Sequence, residues 1–126
     1  MSTIVSWEDV QKFVQNVSNA FKDRYFTGVY GLPRGGCVLA VMLSHSLNIP
    51  LLMAPHKGCL IVDDICDSGE SLVHYRNNTS GQCSYDYTIA TMYYNPSSTV
   101  HPDFFEKYKY KDNWIVFPWE DSKCIM

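Results

Sequence analysis

A chain of 126 residues, 46% hydrophobic and 18% charged, is long enough to bury one core and leaves little room for a second. A net charge of −3, with arginine only at Arg24, Arg34 and Arg76, excludes the clustered positive surface that nucleic acid requires. No apolar run reaches the length of a membrane span, and the first twenty residues are amphipathic and acid-bearing, unlike a secretory leader. The expected address is therefore the cytoplasm, with no membrane partner.

Ser6-Trp7-Glu8-Asp9 predicts a helix start, with a serine cap and acids in the first turn. Trp7, Val10, Phe13, Val14, Val17 and Phe21 follow at helical spacing and predict one apolar, core-facing stripe. Residues 25–30 read as a strand delivering Gly31-Leu32-Pro33-Arg34-Gly35-Gly36, and residues 37–47 as an apolar helix behind that turn. Gly35 and Gly36 permit close backbone approach, while Arg34 sets a positive fork at the mouth of the turn. His45, on this helix, reads as structural or solvated. Residues 50–54 read as a short strand, and only Pro55-His56-Lys57-Gly58 separates it from the next. His56 and Lys57 are expected to be exposed on this trimmed turn.

Residues 59–63 (Cys-Leu-Ile-Val-Asp) predict a buried strand, too short and too branched for a helix. Two adjacent acids, Asp63 and Asp64, stand at its end. After two apolar residues come Asp67-Ser68-Gly69-Glu70-Ser71 and a helical segment over residues 72–77. A strand, a hydroxyl-bearing turn and a helix start form an anion site, because free backbone N–H groups and the positive end of the helix dipole converge there. Carboxylates beside a phosphate site point to Mg²⁺ or a polyhydroxyl sugar between the two.

The polar residues 77–86 read as a loop, and residues 87–94 as a strand ended by Asn95-Pro96. Residues 102–107 predict a short helix with Pro102 in its first turn. Residues 112–120, Asp-Asn-Trp-Ile-Val-Phe-Pro-Trp-Glu, close the described pattern. The cysteines, Cys37, Cys59, Cys66, Cys83 and Cys124, are odd in number and form no C-x-x-C pair. Buried free thiols fit them better than disulfides or zinc.

Residues 59–71 resemble the phosphoribosyl-pyrophosphate (PRPP) signature of type I phosphoribosyltransferases: a hydrophobic strand, two acids, two apolar residues, then an Asp-Thr-Gly-type loop. Ser68 and Ser71 replace the usual threonines and keep the hydroxyls, and Glu70 stands where glycine is common. The Pro33-Arg34-Gly35-Gly36 turn resembles the family's pyrophosphate loop. The closing run resembles the hood of the bacterial xanthine-guanine branch, in which a Trp-Ile pair precedes a Pro-Trp-acid triplet.

The resemblance implies an α/β fold with a mainly parallel sheet and helices on both faces. It implies a single domain, with a core over residues 25–96 and a hood and tail over 97–126. It further implies Mg²⁺-dependent transfer of a phosphoribosyl group from PRPP to a purine, a 6-oxopurine first, with pyrophosphate and a nucleoside monophosphate as products. In that scheme Asp63 and Asp64 hold the ribose hydroxyls, directly or through the metal, and residues Asp67, Ser68, Gly69, Glu70 and Ser71 cradle the 5′-phosphate. Asp67 also serves as acid or base toward the purine N7. Arg34 and the amides of Gly35 and Gly36 hold pyrophosphate. Trp114 stacks on the base and the Ile115 backbone meets its edge, while Trp119 is expected in the core.

Two departures from the family pattern stand out. Asn95 occupies the place of a lysine that meets the base's exocyclic oxygen, and the long mobile lid loop is reduced to residues 55–58. A non-catalytic PRPP- or nucleotide-binding module of the same fold is the alternative. Aromatics such as Tyr108 and Tyr110 leave room for a homo-oligomer interface.

Overall fold

A computed structural model of the chain describes residues 2–76 and 87–120, save the side chains of residues 74 and 76. The elements run β1 (Ser2–Ile4), α1 (Trp7–Ala20), β2 (Val29–Gly31), α2 (Gly35–Leu47), β3 (Leu60–Cys66), α3 (Val73–Arg76), β4 (Thr88–Tyr94), β5 (Phe104–Tyr108) and β6 (Trp114–Val116), then a 3₁₀ turn, Pro118–Glu120. The expected loop over 77–86 lies outside the described residues, as do Cys83 and Cys124.

Helix α1 begins where its sequence says it should. The Ser6 hydroxyl accepts the Asp9 N–H at 3.0 Å, and the Asp9 carboxylate accepts the Ser6 N–H at 2.9 Å, a reciprocal capping box. Val10, Phe13, Val14 and Val17 form its buried face. Trp7 departs from the expected stripe. It is half exposed and leans on Trp119, with ring centroids 6.0 Å apart.

Strands β2-β3-β4-β5 form one parallel sheet in that order. Its strands alternate between two cores. Leu60, Val62, Ala90 and Met92 face α1 and α2, while Cys59, Ile61 and Ile89 face Leu72, Val73 and Tyr75 around α3. Every residue of β4 is buried, as a central strand covered on both faces requires. Helices on both faces of a parallel sheet match the expected fold class.

Several elements differ from expectation. The strand expected over 25–30 is ordered as strand only at Val29–Gly31, because Thr27 bonds instead to Lys57 and Gly58. The strand expected over 50–54 shrinks to a single bridge, Leu51 beside Val29, and Met53 beyond it is exposed. Strand β3 starts one residue later than expected and runs through both acids to Cys66, so Asp63 and Asp64 are strand residues. Cys37 is exposed, unlike the buried Cys59 and Cys66.

The helix expected over 102–107 is instead strand β5. Asp103 fixes the chain beside β4: its carboxylate accepts the Ile89 N–H at 2.8 Å, and its own N–H donates to the Ile89 carbonyl at 2.7 Å. Two consecutive aromatics then serve opposite faces, as strand period demands. Phe104 packs on Phe13 and Phe21 at 6.0 and 6.3 Å, and Phe105 packs on Tyr94 at 4.9 Å. Asn16 of α1 donates to both Glu106 carboxylate oxygens, at 2.9 and 3.1 Å. A segment assigned by sequence to the hood therefore extends the main sheet.

Strand β6 pairs in parallel with β1, an element the sequence reading did not anticipate, as a separate two-stranded sheet. Ile115 and Phe117 point from it into the α1/α2 core.

Helix α2 crosses the sheet at its glycines. A Cβ on Gly36 would lie 2.5 Å from the Val62 carbonyl oxygen, and one on Gly31 would overlap the Gly36 carbonyl. Both obstacles are backbone, which cannot swing aside. Gly36→Ala is expected to cost about 2 kcal/mol through overpacking, lowering the thermal midpoint by roughly 5–10 °C. An unchanged midpoint would show that α2 slides freely on β3.

Candidate active site

The site begins with the polar end of an otherwise apolar strand. Leu60, Ile61 and Val62 bury β3 in the sheet, which carries Asp63 and Asp64 out of the core at its C-terminal end. One oxygen of each is held by the backbone: Asp63 Oδ1 accepts the Asp64 N–H at 2.8 Å, and Asp64 Oδ1 accepts the Ile65 N–H at 2.8 Å. Burial, with the neighbouring Asp64 charge second, pushes the Asp63 carboxyl up to about 8. Asp64 is also raised, chiefly by burial, with the Glu120 carboxylate adding to the effect against hydrogen bonds that oppose it.

Opposite the acids lies the glycine turn. The Leu32 N–H bonds to the Val62 carbonyl at 3.0 Å, the Pro33–Arg34 peptide is cis, and α2 starts at Gly35. The helix therefore begins two residues before the expected position, and Gly35 and Gly36 form its first turn. N–H groups in a first turn have no intrahelical acceptor, and Arg34 supplies no side-chain cap in their place. Asp64 Oδ2 lies over Gly35 so closely that a Cβ there would overlap the carboxylate. Only glycine lets the acid and the helix N-terminus share this space.

A cleft of about 860 Å³ opens between these groups, bringing together Arg34, Gly35, Asp63, Asp64 and Ser71, with Trp119 and Glu120 from the 3₁₀ turn. Trp119, expected in the core, stacks on Phe117 at 4.9 Å and 3° and also contributes to this wall. Glu120 is anchored by the Phe117 N–H at 3.0 Å. Neither Trp119 nor Glu120 stood among the expected site residues, although the Pro-Trp-Glu triplet was a visible signal.

The loop from Asp67 to Ser71 is only partly in the cleft, through Ser71. Gly69 takes φ +92°, which favours glycine, and packs against Ser98 and Thr99. The Ser68 carbonyl accepts the Thr99 N–H at 3.2 Å, and the Ser68 hydroxyl accepts the Glu70 N–H at 3.2 Å. The turn at 97–100 thus braces the loop from behind, leaving Ser68, Glu70 and Ser71 exposed.

A second cluster stands beside it. Asp67, Asn95 and Lys109 each lie one residue beyond the end of β3, β4 and β5. Asn95 Nδ2 donates to Asp67 Oδ1 at 2.9 Å, and Lys109 Nζ lies 3.4 Å from Asp67 Oδ2. Lys109 was missed by the sequence reading because a helix was expected over 102–107. Counted from the end of a strand, it would have fallen in line with Asp67 and Asn95. Trp114 projects from β6 into solvent, 71% exposed and open to stacking, while the Ile115 side chain is core.

His56 and Lys57 are exposed and remote from the cleft. Their turn is tied to Thr27 through the Lys57 and Gly58 carbonyls, at the N-terminal edge of the sheet. The acids lie at the other edge, roughly 15 Å along β3.

The raised carboxyls carry a sign for stability. A native-state value above the ordinary 3.8 means that the folded protein holds the Asp63 proton more tightly, so stability is lost as pH climbs from 3.8 to about 8. Asp63→Asn is expected to remove much of that loss. Its thermal midpoint should gain on the parent's progressively over this interval, and parallel curves for the two proteins would contradict the burial account.

No family model matches the chain. A xanthine-guanine phosphoribosyltransferase from Cereibacter sphaeroides is 30% identical over 118 residues, covering 73% of this chain and 68% of the relative. One from Desulfotalea psychrophila is 24% identical over 140 residues, covering 92% of this chain and 84% of its own. Among solved structures, a purine phosphoribosyltransferase from Pyrococcus horikoshii is similar at TM-score 0.79 and 26% identity, over 95% of each chain. The xanthine-guanine-hypoxanthine phosphoribosyltransferase of Helicobacter pylori shares the fold at TM-score 0.71 and 20% identity, over 99% of this chain and 97% of its own. With its paired strand-end acids, its glycine turn and relatives that match it along most of their length, the chain belongs to the type I phosphoribosyltransferase family.

Proposed function

We propose that the cleft binds PRPP and transfers its phosphoribosyl group to a purine base, most favourably a 6-oxopurine, releasing pyrophosphate and a nucleoside monophosphate. The observation that carries this most directly is the convergence of two half-buried carboxylates, an uncapped helix N-terminus and a loop hydroxyl in one cleft. The substrates named for the relatives point the same way.

The residues divide the task by chemistry. The first-turn amides of α2 and the Arg34 guanidinium suit pyrophosphate, because both offer fixed positive character to oxyanions. Asp63 and Asp64 suit the ribose hydroxyls, as carboxylates accept two hydroxyl donors each. Ser68, Glu70 N–H and Ser71 suit the 5′-phosphate. As the bond from the anomeric carbon to pyrophosphate loosens, positive charge grows on the ribose, and the paired acids, in their deprotonated form, offset it. The incoming ring nitrogen forms the new bond to that carbon while pyrophosphate departs with the electron pair. In this reading Asp67 is the residue that exchanges a proton with the purine ring. Trp114 offers a flat face for stacking.

The donor set fits Mg²⁺. Two hard carboxyl groups side by side at a strand end suit an ion that keeps several waters and shares itself with substrate phosphates. When bound there, Mg²⁺ would neutralise charge on the departing pyrophosphate. No described helix is long and apolar enough to cross a membrane, and a cytoplasmic address accords with the substrates.

A binding-only module is the second reading. Its supporting observation is the 55–58 turn, fixed at the edge of the sheet far from the acids, so that this segment cannot shield the reacting carbon from water. Pyrophosphate release from PRPP and Mg²⁺, with hypoxanthine, guanine, xanthine, adenine or no base, separates the two. Base-dependent release is expected. PRPP binding without release would establish the module. Asp64→Asn and Asp67→Asn are each expected to lower turnover on the order of 10²–10⁴-fold with an unchanged fold. Normal rates in both would exclude the mechanism.

A further inference from the structure

We propose that Thr91 is a positioning residue for the acid pair, its hydroxyl bonding to the Asp63 carboxyl when PRPP occupies the cleft. This rests on the PRPP-binding part of the reading above.

Thr91 lies in the middle of β4 and is fully buried, yet its hydroxyl has no hydrogen-bond partner among the described residues. The other buried hydroxyls are satisfied. Thr88 Oγ1 accepts from Arg24 at 2.7 Å, and Ser98 Oγ donates to the Val100 carbonyl at 2.9 Å. An orphaned hydroxyl has given up water without recovering a bond, and valine would fill the same space without that cost. A bond made in another state of the protein accounts for a threonine in this position.

The sheet register names the partner. Thr91 pairs with Asp63 on one side and with Phe105 on the other. The row two residues earlier, Ile61 beside Ile89, lies in the α3-side core, and Phe105 packs there as well, so strand alternation puts Asp63 and Thr91 on that face together. Neighbouring strands stand about 4.8 Å apart, which leaves the two side chains within a rotamer step of contact. Phe105 offers no polar atom, so Asp63 is the acceptor in this row. Its Oδ1 turns along its own strand to the Asp64 N–H at 2.8 Å. A carboxylate has about four lone-pair sites, enough to take that N–H, a ribose hydroxyl and the Thr91 hydroxyl at once. Thr91 thus fixes the plane of the carboxyl from within the sheet, while the ribose holds it from the cleft.

Calorimetric binding of PRPP with Mg²⁺, together with the thermal midpoints of the free proteins, tests this in Thr91→Val, Thr91→Ser and Thr91→Ala. Thr91→Val is expected to raise the free protein's midpoint by roughly 3–8 °C, because the orphaned hydroxyl is gone. The same variant should bind PRPP on the order of tenfold more weakly. A merely structural hydroxyl would not move stability and affinity in opposite directions. In turnover the loss should fall on the KM for PRPP, with the KM for the base unchanged. Thr91→Ser and Thr91→Ala both lose the methyl group and differ in the hydroxyl, so the pair keeps the test decisive if Thr91→Val fails to fold. Thr91→Ser should bind PRPP near the native level, and Thr91→Ala about tenfold more weakly. Native affinity in Thr91→Val, or equal affinity in Thr91→Ser and Thr91→Ala, would overturn the assignment. This affinity pattern in a protein without turnover would count against the transferase reading and leave Thr91 standing, whereas a native protein that binds no PRPP would overturn both.

Discussion

Asp63 and Asp64 are consecutive carboxylates on a strand that burial holds still, and much of the surrounding architecture answers their repulsion. The Asp64 and Ile65 N–H groups take one oxygen each, and the glycine at the start of α2 lets Asp64 lie against a helix N-terminus. Burial, more than their mutual charge, still displaces both carboxyls upward. A buried pair of acids favours any ligand that brings hydroxyl donors or a cation.

The sheet converts that local tension into a recognisable site by lining up strand ends. Asp67, Asn95 and Lys109 succeed one another across β3, β4 and β5 at equivalent positions, and α2 delivers the glycine turn beside β2. Parallel strands present their C-terminal ends on one side, so residues more than forty positions apart in the chain become neighbours without any long loop. That economy also explains how the fold accommodates a four-residue turn in place of a long connection. The turn serves only the far edge, where Thr27 fastens it.

Local signals in the sequence were strong where one short segment contained both the element and its reason. The Ser6 capping box, the β-branched run of β3 and the loop glycine at Gly69 all lie within a few residues of what they specify. Legibility failed where tertiary pairing decided. Residues 102–107 mix aromatics and charges without a helical period, and only the Asp103–Ile89 contacts and the open edge of β4 make them a strand. Lys109 was hidden by the same mistake, since its position relative to a strand end cannot be counted until the strand is known. Strand β1 has three residues and no meaning apart from a partner on β6. Trp119 belonged to both readings at once, stacked on the core residue Phe117 and part of the cleft wall.

The pairing of β1 with β6 joins segments separated by nearly the whole described chain. Thr3 donates to Asn113 across 110 residues, and Ser2 lies in register with Trp114. A contact of that span closes the largest loop in the molecule and carries a correspondingly high entropic cost, so it belongs among the last to form during folding. The proposed stacking platform is therefore assembled by the slowest and least local part of the fold. The first few residues act as its foundation despite lying far from any ligand in sequence. Ligand affinity in this protein should respond to what is attached at residue 2 as sensitively as to changes in the cleft itself.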